Sequence, residues 1–586
     1  MAEWIRVGWL DDLKEEPQVV KGEQVGIAVF YHEGKVRAVD NRCPHMGFPL
    51  HMGSLCDGIL TCHWHHARFD LESGGTLDPW ADDVPTYRTE IREGVVWVQT
   101  LPQNRKRLQH HRDRLREGLE QNLSLVIAKA VVALMEGGES PENIAAIGVE
   151  FGTTHRRGGW RSGLTILSAM VNLLPKLDRR GQVLALYQGL RWIAQESAGM
   201  GTRFQLEPLP VKDADPVRLM RWYRHCVEVR DVQGAERVLL TAIRAGFSDE
   251  QLSDMTMAAV TDHFYMDVGH SLDFHNKAFE VLAKIGADQR ERVLVSLLPQ
   301  FAGAERSEEL HSWQSPVDLV TPLQQAFTKV ENLTFGNDRG GAGEKELVQT
   351  ILGDDPQATV AELVSALQEG IDPRRLAQLV TLAAATRIRH FHVQNDFRDW
   401  DTALHTFTHA HAVHESLRRS VSPELIRGIF HAAMSVYLDR FLNIPAAREP
   451  KGDFAEGKVA PHPKELLAIM DKQQQVAEAA QWVKVYLDRG GDKKELFRTL
   501  GEALLREDAD FHTYQAVEAA MMEHDRWTEE EGEWAESAQE TMILAMTRYL
   551  AAHAPTSREV PHIARIAWRL HRGEKLFEEE TEPEVT

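Results

Sequence analysis

The sequence predicts a multidomain protein of α and β structure. A small antiparallel β domain over residues 1–102 is followed by a large all-α domain over residues 119–575, built from internal helical repeats. Three observations predict this. The chain has 586 residues, too many for one core. Strand-like alternation fills the first hundred residues and then gives way to Ala-, Leu- and Glu-rich segments of helical period. A helix–glycine–helix pattern then recurs along the helical part. Residues 103–118, rich in Arg, Lys, Gln and His, read as a linker or the opening of a helix, and residues 576–586 as a disordered acidic tail.

In the β domain, residues 25–30 and 35–39 flank the turn His32-Glu33-Gly34, a hairpin signal. Residues 87–91 and 95–98 flank Arg92-Glu93-Gly94 and form a second. Between them lie two Cys-His pairs: Cys43-Pro44-His45, sixteen intervening residues, then Cys62-His63-Trp64-His65. Two thiolates on one iron and two imidazoles on the other make a mixed-ligand [2Fe–2S] centre, whose potential lies above that of an all-cysteine site. A Cys2His2 set also suits zinc. Against zinc stand the C-x-H spacing of the first pair and Phe69-Asp70, which a zinc knuckle leaves unexplained.

The run from Asn41 to His45, with Cys62-x-x-His65-x-x-x-Phe69-Asp70, resembles a Rieske domain of the soluble ferredoxin and ring-hydroxylating oxygenase type. The resemblance implies a [2Fe–2S] cluster held by Cys43, His45, Cys62 and His65 and assigns no other residue; His51, His63 and His66 nearby read as surface or supporting residues. Rieske proteins of cytochrome bc complexes carry a further bridged cysteine pair in these loops. Phe48 and Trp64 stand there instead, and Cys56 and Cys226 lie elsewhere. High-potential members also place a serine two residues after the last histidine. Here it is Ala67, so the resemblance implies a lower potential.

Four cysteines, at least two of them ligands, exclude a disulfide framework. The start resembles no signal peptide, and no run of about twenty apolar residues suggests a membrane span. A net charge of −22 argues against nucleic acid as a partner. The expectation is a soluble, cytoplasmic protein.

In the helical part, residues 135–144, 243–252 and 367–376 share a helix end, a glycine and a Ser or Asp that suits an N-cap. A weaker fourth copy runs through residues 505–510. The spacing exceeds that of short solenoid units and suggests duplicated helical subdomains around a shared centre. Irregular stretches at 335–343 and 445–463 interrupt them. Residues 151–159, with Arg156 and Arg157, match no phosphate-loop pattern and read as an ordinary helix connection.

Among 27 histidines, several carry metal-ligand spacing. His405 and His409 are four apart and share a helix face, as do His263 and Asp267. Asp267-x-x-His270-x(4)-His275 has the spacing by which Rieske oxygenases supply two histidines of their non-haem iron triad. The acid those enzymes place four residues earlier is His263 here, and their catalytic domain is a β-sheet where this stretch is helical. The candidate second metal site is therefore His263, Asp267, His270, His275, His405 and His409, beside the alternative of a metal-free polar pocket. Thr408-His409-Ala410-His411-Ala412 is faintly similar to questin-oxidase-like proteins, whose activity is oxidative ring opening of aromatic polyketides.

These readings lead to an iron–sulfur redox protein that passes electrons from its [2Fe–2S] cluster to a fused helical domain. The expected activity is that of an oxidoreductase of oxygenase type, with a possible second non-haem iron site. Its partners are an electron-donating reductase or ferredoxin, a small organic substrate and O2. A short tether puts donor and acceptor at about millimolar effective concentration. The alternative is a non-catalytic electron carrier whose helices form a docking scaffold.

Overall fold

The strands of the first region pair antiparallel throughout, and their hairpin turns carry the reason. In the computed structural model of the protein, residues 3–22, 25–103, 108–155, 158–310, 317–335, 343–452, 459–574 and 576 are described. Nearly all of the expected acidic tail, most of the irregular stretch at 335–343, part of that at 445–463, and Arg156 and Arg157 lie outside them. The chain opens with β1 (Trp4–Trp9), the short helix α1 (Leu10–Glu15) and β2 (Gln18–Val20). β3 (Ile27–His32) and β4 (Lys35–Asp40) form the first expected hairpin. Next come β5 (Ser54–Cys56), β6 (Ile59–Thr61) and β7 (Arg68–Asp70), then the second expected hairpin of β8 (Thr86–Arg92) and β9 (Val95–Pro102). Both hairpins turn on Glu-Gly pairs with positive φ, 45° and 79° at Glu33-Gly34 and 50° and 78° at Glu93-Gly94. Left-handed residues at both turn positions match the twist of the flanking strands.

Among the described residues the strands make one six-stranded sheet, ordered β1-β9-β8-β4-β3-β2, and one three-stranded sheet, β5-β6-β7. β3 is buried on both faces. Ile27 and Val29 pack with Ala38, Val96 and Val98, whereas Ala28 and Phe30 pack with Leu60, Phe69, Cys43 and Cys62. Period-two alternation of side chains produces this division, and it draws both cysteines into a core.

Close packing divides the chain into Met1–Ser140 with Val560–Thr586, and Pro141–Glu559. The first unit contains helices α2 (Leu108–Glu120) and α3 (Ser124–Glu136), so residues 108–118 of the expected linker are helical. It also takes in nearly all of the C-terminal helix Glu559–His571. Arg114 Nη2 donates to the Pro79 carbonyl at 2.8 Å, and Arg42 Nη1 to the Leu570 carbonyl at 3.1 Å. These bonds tie α2 and the last helix to the β region.

The second unit is helical among its described residues. The helices that build its candidate site are α4 (Ser162–Leu173), α5 (His270–Ile285), α6 (Phe397–Arg419) and α7 (Phe511–Trp527). α6 is buried almost all round from Ala403 to Leu417. It packs against α5, α7, Pro373–Arg389 and Pro423–Asp439, as a core helix does. Asp396 and Asp399 form its capping box, and Asp510 caps α7 by accepting from the Thr513 amide at 2.9 Å. Gly138, Gly246 and Gly370, the three pattern glycines, all have positive φ, so each ends a helix in the left-handed conformation glycine adopts at least cost.

Candidate functional site

Two loops after β4 and β6 carry the Cys-His pairs, and they close alike. The Cys43 amide donates to the Phe48 carbonyl and the Gly47 amide to the Cys43 carbonyl, both at 2.8 Å. The Cys62 amide donates to the Ala67 carbonyl at 2.8 Å, and the His66 amide to the Cys62 carbonyl at 3.0 Å. The residue four beyond each cysteine is left-handed in both, Gly47 at φ 86° and His66 at φ 62°. Two matching loops therefore present four side chains to one place. The His45 and His65 rings lie 4.8 Å apart and nearly perpendicular.

The donor chemistry fits a [2Fe–2S] group. Both thiols are buried side by side, and their mutual hydrogen bond holds Cys62 down at about 6 while pushing Cys43 up. Backbone amides of His45 and Met46 face the Cys43 sulfur, and those of Trp64 and His65 face the Cys62 sulfur. His45 Nδ1 is buried with no hydrogen-bond partner in the chain, a cost that a ligand from outside would remove. Burial, then Lys129 and His65, hold the His45 imidazole at about 4, which keeps its lone pair free at neutral pH.

The two imidazoles differ in exposure. His65 is exposed. His45 is half-buried, with Trp80 edge-on at 4.7 Å. Lys129, from α3, donates to the carbonyls of Pro44 at 2.7 Å and of His45 itself at 2.6 Å. His63 and His66 point outward, and the His51 ring contacts Asn41 Oδ1 at 3.0 Å, away from the four donors. Phe69 is core, and Asp70 accepts from the Ser73 amide at 2.9 Å to shape the next turn.

In the helical unit the six expected ligands separate. His270 and His405 come together, with ring centroids 4.6 Å apart, and a residue the sequence did not single out joins them. This is His512, whose Nε2 is 2.9 Å from His405 Nε2. One ring nitrogen from each of the three histidines lies within 4.8 Å of the others. Burial and the neighbouring imidazoles hold His405 down at about 2 and His270 at about 4, and burial lowers His512 as well.

The other four fall outside this group. His275 follows His270 by five residues, which turns it about 140° around the helix. It is fully buried elsewhere, 2.7 Å from Thr256 Oγ1. Asp267 accepts from Gln300 Nε2 at 2.9 Å. His263 pairs with Glu228 at 2.8 Å, and despite burial Glu308 and Glu228 raise its basicity. His409 does share a face with His405, but it is buried against Tyr265 and beside Gly269, where even a methyl group would collide at 3.0 Å. His270 itself follows a strained stretch. Tyr265, Asp267 and Val268 have φ of 45°, 52° and 47°, a conformation costing about 1–3 kcal/mol per residue, most for a β-branched one.

A cavity of about 450 Å³ opens beside His270 and His512, lined also by Arg161, Phe274, Gln300 and Phe511. His512 offers no sequence signal of its own: the weak fourth copy ends at Asp510, two residues short.

Paired loops presenting two thiols and two imidazoles define an iron–sulfur domain of the mixed-ligand type. The family model of the Rieske [2Fe-2S] domain matches residues 3–88, and the chain belongs to that family. The chain is 36% identical over 98 residues to the ferredoxin component of the naphthalene 1,2-dioxygenase/salicylate 5-hydroxylase systems of Ralstonia sp, covering 16% of this chain and 94% of that protein. It is 30% identical over 102 residues to the ferredoxin component of the alkene monooxygenase system of Xanthobacter autotrophicus, covering 17% of this chain and 84% of that one. It is 37% identical over 78 residues to a Rieske domain-containing protein of Homo sapiens, of which it spans about half, 48%, over 12% of its own length. The domain implies a [2Fe–2S] cluster and electron transfer. The family model stops short of the helical unit. Among the described residues no helix is long and apolar enough to cross a membrane.

Proposed function

We propose that the chain is a Rieske-dependent oxidoreductase that accepts single electrons from a reductase or ferredoxin and serves an O2-dependent oxidation of a small organic substrate in its helical unit. The asymmetric cradle carries this reading: one imidazole is exposed and the other half-buried. A [2Fe–2S] group held by Cys43, His45, Cys62 and His65 would supply one-electron transfer. His65 offers the edge that a donor protein can approach, whereas the His45 ring packs edge-on against Trp80. In the helical unit the cavity beside His270 has the volume of a small-molecule site, with Phe274 and Phe511 as apolar walls and Arg161 as a cationic one. The two ferredoxin components among the relatives belong to oxygenase systems, which supports the same reading.

The test is O2 consumption by anaerobically purified full-length protein, supplied with a reductase and NADH, across a panel of small aromatic and carboxylated compounds. Consumption that depends on one class of compound supports the proposal. A centre that is reduced and reoxidised with no compound-dependent O2 uptake would make the chain an electron carrier with a helical docking scaffold.

A further inference from the structure

Four histidine or carboxylate clusters of the second unit have ligand atoms close enough to hold a metal ion. Two of them are already neutralised by the chain. Lys277 Nζ sits 2.6 Å from Glu518 and 2.9 Å from Glu280, in the cluster that includes His411. Arg526 donates to both oxygens of Glu415, at 2.7 and 2.9 Å, in the cluster that includes His414 and Glu523. A buried cation leaves such a carboxylate no reason to recruit an ion. The remaining two share His512, and the one formed by His270, His405 and His512 contains no carboxylate: Asp401 lies 3.8 Å behind the His512 ring, and Asp267 lines the adjoining cavity.

We infer that His270, His405 and His512 form a three-histidine site for one divalent transition-metal ion, Fe(II) if the proposed oxygenase reading holds, facing the cavity beside Arg161. The reasons are geometric. Two nitrogens each about 2.1 Å from one ion, at angles between 90° and tetrahedral, lie about 3.0–3.4 Å apart. The 2.9 Å between His405 Nε2 and His512 Nε2 is close to that spacing. The Nδ1 of His512 faces Asp401 Oδ2 at 3.8 Å, and Tyr549 Oη donates to the other oxygen of Asp401 at 2.8 Å. At 3.8 Å that carboxylate is an electrostatic neighbour of the ring on the side away from His405, beyond hydrogen-bond length. The three residues come from α5, α6 and α7, the arrangement by which helical bundles build metal sites from facing helices. Three protein ligands also leave coordination positions open toward the cavity, as a working site needs.

The site stands on its own donors, so it is tested without reference to turnover. Full-length protein carrying its cluster is stripped of loosely held metal and titrated anaerobically with Fe(II), and in parallel with Co(II), whose visible spectrum reports nitrogen coordination. One ion should bind per chain beyond the two irons that accompany two sulfides, and its binding should raise the melting temperature. His405→Ala and the milder His512→Gln should each lose at least tenfold in affinity while the cluster's electron paramagnetic resonance spectrum stays unchanged. Wild-type protein that binds no ion beyond the cluster overturns the inference, whatever the variants do. So does undiminished binding by both folded variants. Binding without O2-dependent turnover would leave the site intact and count against the oxygenase reading alone.

Discussion

The two histidine-bearing sites of this protein are built in opposite ways. In the first unit, four donors sit on two loops closed by matching backbone hydrogen bonds within 23 residues of chain, Cys43 to His65. In the second, His270, His405 and His512 are brought together from three helices by packing alone. A loop site is written into local spacing. A bundle site is written into which faces meet.

The comparison breaks most completely at the cradle. Cys62→Ala removes a buried thiol from a set with no spare thiol, because Cys56 is exposed on β5. Acid-labile sulfide and the Rieske resonance signal should both vanish. Far-ultraviolet circular dichroism should stay near wild type, because the helical unit has its own core. Loss of helical signal along with the sulfide would show that the second unit needs the first in order to fold.

The same contrast explains what could be read from the sequence. Both hairpins, the ligand loops and the change to helix were legible, since Glu-Gly turns and strand or helix periods are local properties. The i, i+4 rule put His405 and His409 on one face, and they do share it, yet only His405 meets His270 and His512. Asp267 and His275 matched a motif by spacing, but a helix carries His270 and His275 to different sides, and Asp267 turns to Gln300. His512 and Lys129 were invisible because each matters only through contacts hundreds or tens of residues away.

A second variant sharpens the distinction between a structural ion network and a candidate metal site. Lys277 is fully buried between Glu280 and Glu518, so Lys277→Met strands carboxylate charge in the core. Breaking a buried pair this way costs about 3–5 kcal/mol. Urea unfolding followed by circular dichroism should show that loss. The visible spectrum of the cluster should be unchanged before the transition. A loss below about 1 kcal/mol would mean the network tolerates an unpaired acid, so that Lys277 would not bar an ion from it.

Asp439 is a smaller lever in the same unit. Burial raises its carboxyl to about 7, with Arg387 pulling the other way. The folded state therefore holds the proton more tightly than the unfolded state, and stability falls as pH rises from about 4 to about 7, then stays lower. Asp439→Asn removes that dependence. Its stability relative to wild type should rise by roughly 2–4 kcal/mol between pH 4 and pH 8, at about 1.4 kcal/mol per pKa unit. Parallel denaturation curves at the two pH values would show instead that Asp439 is ionised at no cost.

The finest test returns to the cradle and to the helix laid against it. Ala67 stands where the resemblance places a serine in high-potential Rieske proteins, and on that resemblance the expected potential is lower. Lys129 acts in the opposite direction. Its ammonium group, held by the carbonyls of Pro44 and His45, places a positive charge beside one ligand loop, and a nearby cation favours the reduced, more negative state of the centre. Lys129→Met keeps most of the side-chain stem and removes the charge. Its midpoint potential, measured by a redox titration monitored by electron paramagnetic resonance, should fall below wild type while sulfide content is unchanged. Ala67→Ser should move the potential the other way. Because Lys129 lies on α3, beyond residues 3–88 matched by the family model, a fall would mean that part of the potential is set by structure this chain adds to the Rieske domain. An unchanged potential would leave Lys129 a purely mechanical tie between α3 and the ligand loop.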